Sequence, residues 1–446
     1  MVEQYLPQSW CEVNLSSLGT FLRGRGGTRA DEEAHGLPCI RYGDLYTHHD
    51  CIVRSFCSAI SPARASAYTS LQFGDIVFAG SGETFEEIGK AVAYCSDGQA
   101  YAGADTIIFR PGRGLDSRFA GYAVNSESAN NYKSRVGQGS SVIHISAEHL
   151  SRLPLLLPPV SQQQHIADIL STMVETIEKT ESLIAKYQQI KAGLMHDLFT
   201  RGVTADGKLR PPRAQAPELY KETPIGWISK EWECKTLEQL LAPVGNNLRS
   251  GPFGSALLKD ELVEEGIPFL GIDNIYTEHF EARYRRFVSQ KKFMELYRYS
   301  VRPKDIVITI MGTVGRCCIL PDDIGQALSS KHLWTMTLDQ SQVFPELVCW
   351  QLNYAPWVLS WFRRESQGAV MDAIQSSTLR TLQLPVPRMS EQDEILGKYL
   401  ASTSKIDSEI SELNKLKKKK AGLMHDLLTG RVQVKETNSA EELEHS

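Results

Sequence analysis

Two long stretches of the chain carry apolar residues at helical spacing. In the first, Ile166, Leu170, Met173, Ile177, Ile184, Tyr187, Ile190, Leu194 and Leu198 form one stripe. In the second, Ile395, Tyr399, Ile406, Ile410, Leu413, Leu416, Leu423 and Leu427 do the same. A stripe with this period predicts an amphipathic helix. The first spans about 161–199, or about 55–60 Å at the α-helical rise. Each stretch is preceded by a strand-like run that prolines stop, Leu153-Pro-Leu-Leu-Leu-Pro-Pro159 and Leu382-Gln-Leu-Pro-Val-Pro387. Ser161 stands where an N-cap belongs, and Gln164 completes a capping-box pattern. A lone helix of this length would leave its stripe in water, so it needs a partner helix.

The sequence outside these helices has a shorter period. Residues 1–152 hold strand signals punctuated by turns: Pro38 to Leu45 as strand and turn, Gly74 to Ala79 as a turn into a strand, and Ala104 to Phe109 before Pro111-Gly112. Many short strands with few helical periods predict an α+β or mainly β domain. Residues 203–222 are rich in proline, alanine and charge, and read as an exposed connector.

The pattern then restarts. Leu6, Trp10, Leu15 and Leu18 have counterparts 222 residues later in Ile228, Trp232, Leu237 and Leu240. Leu37 to Leu45 and Asp75-Ile-Val77 recur 230 residues later, at Ile267 to Ile275 and at Asp305-Ile-Val307. Gly139 and Gly368 are 229 apart, and Ser161-Gln-Gln163 recurs as Ser390-Glu-Gln392. Ala-Gly-Leu-Met-His-Asp-Leu occupies Ala192–Leu198 and again Ala421–Leu427, also 229 apart. The constant late offset means two helices of equal length, and the drift before it places the length differences in the globular parts. A duplicated unit with a strict helical part and a variable globular part follows.

Composition alters little in this picture. The 446 residues are 42% apolar and 23% charged, as in ordinary globular proteins. No apolar run nears the roughly 18 residues of a membrane span, and the N-terminus lacks a signal-peptide pattern. The nine cysteines form no C-x-x-C, which argues for a reducing, cytoplasmic setting and against a zinc site. Cys317-Cys318 reads as a buried strand pair. The net charge of −5 gives no global signature of nucleic-acid binding, so any such reading rests on local charge.

In this order and at this spacing the motifs resemble the specificity subunit of Type I restriction-modification systems. The resemblance rests on Ile225-Gly226-Trp227 to Trp232, the two proline-stopped entries, the Ser161 and Ser390 helix starts, and the paired Ala-Gly-Leu-Met-His-Asp-Leu ends. It implies an α+β chain: two mixed α/β target-recognition domains joined by two long antiparallel, coiled-coil-like helices, with an internal pseudo-two-fold repeat. The expected boundaries are 1–152 for the first recognition domain, 153–203 for the first helix and its entry, and 204–222 for the linker. The second recognition domain is expected at 223–381, the second helix and its entry at 382–431, and a disordered tail at 432–446. Each domain would read half of a split double-stranded DNA target. Two modification (methyltransferase) subunits would dock on the helices and bring the restriction subunits, serving DNA methylation and host defence. S-adenosylmethionine, ATP and Mg2+ would be bound by those partners, with no cofactor in this chain.

Candidate DNA contacts follow local charge. Arg283 to Lys304 holds eight Lys/Arg and one acid, interleaved with tyrosines. A charge run alone is usually a solvated face; the resemblance favours contact. The second-half candidates are Arg249, Ser250, Phe253, Asn274, Arg283, Arg285, Arg286, Lys291, Lys292, Arg316 and Lys331, the loop Gly312–Arg316 among them. In the first half they are Arg23, Arg25, Arg29, Arg41, Tyr42, Lys90, Lys133 and Arg135. The repeated helix ends read as frame and docking surface, with Ala192, Leu194, Met195, His196, Leu198, Ala421, Leu423, Met424, His425 and Leu427 as candidates.

Catalytic signatures are missing from the sequence. Gly80 to Lys90 fails as a phosphate loop, with Thr84 where the first glycine is needed and Ala91 in place of Ser/Thr. His196-Asp197 and His425-Asp426 point in different directions on a helix and have no paired nucleophile, so a structural helix-end histidine is the expectation. A helical scaffold that organises proteins without reading DNA remains the competing class, and a stand-alone enzyme a third.

Overall fold

A computed structural model describes residues 7–27, 31–310, 315–366 and 375–434. Leu6, Arg29, Gly312 to Val314, Gly368 and the tail beyond 434 lie outside the described residues. The chain forms two compact units, Met1–Leu183 with Glu409–Ser446, and Ile184–Ser408. Both divisions fall inside the long helices, so each unit owns part of both.

In the first unit, β1 (Cys11–Asn14) pairs antiparallel with β12 (Pro154–Leu157), the strand that leads into α5 (Val160–Thr200). One four-stranded sheet has the order β2 (Gly19–Arg23), β10 (Thr106–Pro111), β6 (Ile76–Ala79), β8 (Ala91–Ala93). The other has the order β4 (Ser58–Ile60), β3 (Glu32–Ile40), β9 (Tyr101–Ala102), β5 (Thr69–Ser70). A short ribbon joins β7 (Ser81–Gly82) to β11 (Ile143–His144). Residues Tyr42–Thr47, read from sequence as a turn, are helix α1, because the Asp44 carboxylate accepts the Arg41 N–H and starts it. Helices α2 (Ser117–Ala123), α3 (Glu127–Val136) and α4 (Ala147–Ser151) begin at Asp116, Ser126 and Ser146, whose side chains accept a first-turn N–H. Strand β6 is buried on both faces, hence its unbroken apolar run. Ile76 and Phe78 join the core that includes Phe119 and Tyr122, and Val77 and Ala79 join the core of Ile40, Val92 and Ile108.

The second unit repeats this plan. A hairpin of β13 (Tyr220–Thr223) and β14 (Gly226–Ser229) precedes β15 (Glu233–Thr236), which pairs with β26 (Gln383–Val386) ahead of α11 (Met389–Leu428). After α6 (Leu237–Leu240), the order β16 (Leu248–Ser250), β25 (Leu333–Met336), β22 (Ile306–Thr309), β23 (Cys317–Ile319) reproduces the first sheet. The second sheet runs β17 (Leu262–Val263), β21 (Phe287–Val288), β18 (Ile267–Leu270), β24 (Leu328–Ser329). Its parallel pair Phe269↔Leu328 corresponds to Cys39↔Tyr101 in the first unit. The small hairpin β19 (Ile275–Tyr276) and β20 (His279–Phe280) follows β18, and α7 (Gln290–Glu295), α8 (Pro345–Tyr354), α9 (Pro356–Ser366) and α10 (Ser376–Arg380) complete the unit. Like β6, β22 divides its side chains, Ile306 and Ile308 into one core and Val307 into another.

The helices are antiparallel within each unit. In the first, Leu427 and Leu428 of α11 share a core with Ile166, Leu170 and Val174 of α5, while Lys417 reaches Glu181 at 2.8 Å. In the second, Ile395 shares a core with Met195 and Leu198, while Lys405 stands 5.6 Å from the Tyr187 ring centre.

The helix entries are built alike, and differently from the capping box read in the sequence. Helix α5 already begins at Val160, and the anchoring side chain is Gln163, not Gln164. Gln163 is fully buried, donates to Pro158 O (2.8 Å) and Gly114 O (3.1 Å), and accepts the Asp116 N–H (2.8 Å). Gln392 donates to Pro387 O (2.8 Å) and Gln342 O (2.9 Å), and accepts the Phe344 N–H (2.9 Å). One residue earlier, Gln162 accepts from Trp10 Nε1 and Glu391 from Trp232 Nε1, each at 3.0 Å. The segment read as an exposed connector is folded: Val203, Arg210, Ala216 and Tyr220 are buried, and Arg210 is ion-paired to Glu391.

Candidate nucleic-acid interface

Backbone hydrogen bonds gather loops at one edge of each unit. In the second unit, the chain leaving β16 lies against the chain leaving β24. Gly251 N donates to Ser330 O (3.1 Å), and Ser250 Oγ donates to Lys331 O (3.2 Å). The chain leaving β18 joins them through Ser330 N to Leu270 O (3.1 Å), and the β22–β23 connection through Ile310 N to His332 O (3.0 Å). Glycine is required where these strands of chain meet, since a Cβ on Gly251 would lie 2.0 Å from Ser329 O. Gly251→Ala is therefore expected to force the loops apart and cost about 1–3 kcal/mol. Urea unfolding of wild type and variant measures it, and equal stability would show the contact to be slack.

The first unit builds the same edge. Gly24 N donates to Thr106 O (3.0 Å), Gly103 N to Ile40 O (2.9 Å) and Gly80 N to Asp105 O (2.7 Å). A Cβ on Gly24 would lie 2.1 Å from Gly103 O. Arg23 and Arg25 flank that glycine and are exposed, Arg41 lies against Gly103 and is ion-paired to Glu32, and Tyr42 is exposed at the start of α1. Lys90 and Arg316 hold equivalent places, each directly before the hairpin's second strand: Lys90 O accepts from Ala79 N and Arg316 O from Thr309 N, both at 2.9 Å.

Several sequence candidates sit at this edge of the second unit. Phe253 is 59% exposed and Lys331 is exposed. The Arg316 guanidinium lies 5.7 Å from the centre of the Tyr276 ring, an exposed aromatic that the sequence reading missed. Arg286 is ion-paired to Asp273, and Lys292 to Glu261 (2.7 Å), so neither offers a bare charge. Arg283, Arg285 and Lys291 are exposed. His332 is held below its ordinary pKa by burial first, then by Lys331 and Arg286, which favours the neutral ring.

Four candidates are corrected. Lys133 has no exposed surface, and its Nζ donates to Gly89 O (2.8 Å). Arg249 is buried against Asp305, with Nε on Ser300 O (2.6 Å) and Nη1 on Asn246 O (2.9 Å) and Thr337 Oγ1 (3.0 Å). Ser250 is buried under Lys331, and Asn274 caps a turn by accepting the Gly271 N–H (3.0 Å), as Asp44 does for Arg41. These four hold loops in place and offer no surface to a duplex. Arg135 is exposed on α3, with its Nε on Asn131 O (3.2 Å).

The repeated helix ends divide in the same way. Met195, Leu198 and Leu427 are core residues, and Leu194, Leu423 and Met424 are half-buried against those cores. Met195, Leu198 and Leu427 hold the globular parts to the helices and offer no docking surface, while the other three keep part of theirs exposed. Ala192, His196 and Ala421 are exposed, and half-buried His425 lies between Glu127 (3.5 Å) and Arg431 (3.0 Å). Among the described residues no cluster of His, Cys, Asp and Glu is placed to hold a metal, and no helix is long and apolar enough to cross a membrane.

Residues 9–189 match the model of the Type I restriction modification DNA specificity domain. Over 442 residues the chain is 24% identical to the putative type I restriction enzyme MjaX specificity subunit of Methanocaldococcus jannaschii, covering 96% of this chain and 95% of that protein. Residues 9–189 thus carry the Type I DNA specificity domain, and the chain is similar over nearly its whole length to a Type I specificity subunit. The EcoBI specificity subunit of Escherichia coli is 22% identical over 278 residues, 61% of this chain and 56% of that protein. The S subunit of the Type-I restriction-modification system of M. genitalium aligns over 96% of this chain and 98% of its own, at 15% identity and a TM-score of 0.54. A second solved structure, concerned with complex assembly and conformational transition of the type I R-M system, aligns over 96% and 99%, at 17% identity and a TM-score of 0.58. The specificity domain matched at 9–189 ends within α5, and the second unit rebuilds its strand order.

Proposed function

We propose that each globular lobe reads one half of a bipartite double-stranded DNA target. The paired helices α5 and α11 set the separation of the halves and dock two modification (methyltransferase) subunits, and through them the restriction subunits, in the cytoplasm. The chain itself does no chemistry; S-adenosylmethionine, ATP and Mg2+ belong to the partners. One observation carries this reading: the same loop edge, rimmed by basic and aromatic side chains, is built twice beside helices of nearly equal length, 41 and 40 residues. A split site needs two readers held in phase with a duplex that turns every 34–36 Å or so. Arg and Lys at the rim would hold phosphates, and the few side chains that reach base edges would give specificity.

Methylation mapping in cells that express the full complex tests this. The expected result is a two-part motif with a fixed gap. Inserting residues between Ile166 and Leu194 should change the gap and leave both half-sites intact, while exchanging residues 223–381 for another reader should change one half-site only. No motif at all would favour a scaffold that binds partners without reading DNA, and an insertion that altered base preference would overturn the spacing role.

A further inference from the structure

The lobes differ in sequence, yet both are seated on helix ends that are identical. The residue before each Ala-Gly-Leu-Met-His-Asp-Leu is also the same, Lys191 and Lys420, again 229 positions apart. These two lysines make corresponding contacts. On α5, Lys191 Nζ lies 3.9 Å from Glu278 Oε2 and 4.5 Å from the centre of the Tyr399 ring. On α11, Lys420 is ion-paired to Asp50. Both lysine side chains are largely covered, with 18% and 17% of their surface exposed.

The two acids come from corresponding places in their lobes. Asp50 follows α1, which starts at the Arg41–Asp44 turn, and Glu278 follows the Gly271–Asn274 turn that is its counterpart. Glu278 sits at the tip of the β19–β20 hairpin with φ +57°, a conformation that few side-chain-bearing residues adopt and that surrounding contacts must hold. Its carboxylate accepts from Tyr399 Oη (3.1 Å) on α11 and from Tyr354 Oη (3.4 Å) on α8. The first lobe adds Arg54, which reaches Glu175 (3.5 Å) and Glu178 (3.2 Å) of α5.

We propose that Lys191–Glu278 and Lys420–Asp50 are equivalent keys that fix how each variable lobe is rotated on the constant helices. An acid at this point of the lobe is then what any reader needs to be seated in the right phase, whatever bases it recognises. These are positioning residues with no DNA contact of their own. The inference rests on the bipartite reading proposed above.

The test uses the full chain assembled with its modification subunits. Methylation rates are compared on duplexes whose gap is correct, one base pair shorter and one longer, and on duplexes with altered half-sites. Lys420→Asp and Glu278→Gln should each lower discrimination between gaps by on the order of tenfold, since small misplacements of reacting groups are costly, while half-site preference stays as in wild type. The exchange Asp50→Lys with Lys420→Asp should restore gap discrimination, which general destabilisation would not. Unchanged gap discrimination in both single variants, or a loss that the exchange fails to restore, would overturn the proposal. A wild-type complex with no split-site preference would instead overturn the bipartite reading, and this inference with it.

Discussion

Arg210→Ala is expected to destabilise the second unit by about 3–5 kcal/mol, the usual cost of stripping one partner from a buried ion pair. The Arg210 and Glu391 side chains are 5% and 9% exposed. Arg210 places both terminal nitrogens on the Glu391 carboxylate and extends Nη2 to Glu231 (2.9 Å) and Nη1 to Arg201 O (3.0 Å). Glu391 also accepts from Val203 N (2.9 Å) and Trp232 Nε1 (3.0 Å). Without Arg210 the carboxylate keeps only those neutral donors at the buried floor of an open pocket that Glu231 and Glu394 also line. The other half of the chain explains why the arginine is there. Gln162, 229 positions before Glu391, accepts from Trp10 as Glu391 does from Trp232, but it carries no charge. The acid at Glu391 suits the positive end of α11, and the connector supplies the counter-charge. A cycle of Arg210→Ala, Glu391→Ala and both together, read by urea unfolding, should show the double variant costing well under the sum of the singles. Additive losses, or an Arg210→Ala cost under about 1 kcal/mol, would mean that the site is wetter than its packing implies.

Much of the frame was legible in the sequence because its physics is local. A period of 3.6 residues over some forty positions has few alternative structures, and two copies at constant offset confirmed the reading. The strand before each helix was legible for the same reason. The anchor at the helix start lies one residue from the one the capping pattern suggests, since Gln163 and Gln164 differ only by about 100° around the axis and the partners of Gln163, Gly114 and Asp116, are some fifty positions away. Candidate contacts were harder still. Lys133 and Arg249 look in sequence like Arg25 and Lys331, and only long-range partners, Gly89 O and Asp305, make the first two structural. The repeated Ala-Gly-Leu-Met-His-Asp-Leu looked like one docking surface because identity gives no direction. A helix turns alternate residues to different sides, and Met195 and Leu198 face the core while Ala192 and His196 do not.

Lys133→Met is expected to stabilise the first unit below neutral pH and to lose that advantage as the pH rises. Lys133 lies on α3 with no exposed surface, and its Nζ has a backbone carbonyl, Gly89 O, at 2.8 Å. Burial lowers its pKa from 10.5 to about 7, with a small opposing pull from Cys51. Between those values the unfolded chain holds a proton that the folded chain has released, so wild-type stability rises with pH across that window. Below about pH 7 both states are protonated and the whole penalty of an interior ammonium is present, on the order of several kcal/mol. Above 10.5 neither state is charged and the penalty is gone. Methionine fills similar volume without a charge but leaves Gly89 O without its donor, a loss of about 1–3 kcal/mol at every pH. The variant should therefore be the more stable at pH 6 and the less stable near pH 10, with the curves crossing between. Urea unfolding at pH 6, 8 and 10 reads this directly, and a stability difference that does not change with pH would show that Lys133 is not charged at a cost in the folded state. The position also bears on the interface. Lys133 holds the carbonyl next to Lys90 at the base of the Gly80–Lys90 connection, where Gly89 has φ +69°. On the function proposed above, with Lys90 as a phosphate contact, a variant that keeps its fold at pH 6 but frees that connection should weaken DNA binding by the assembled complex without changing which bases are preferred.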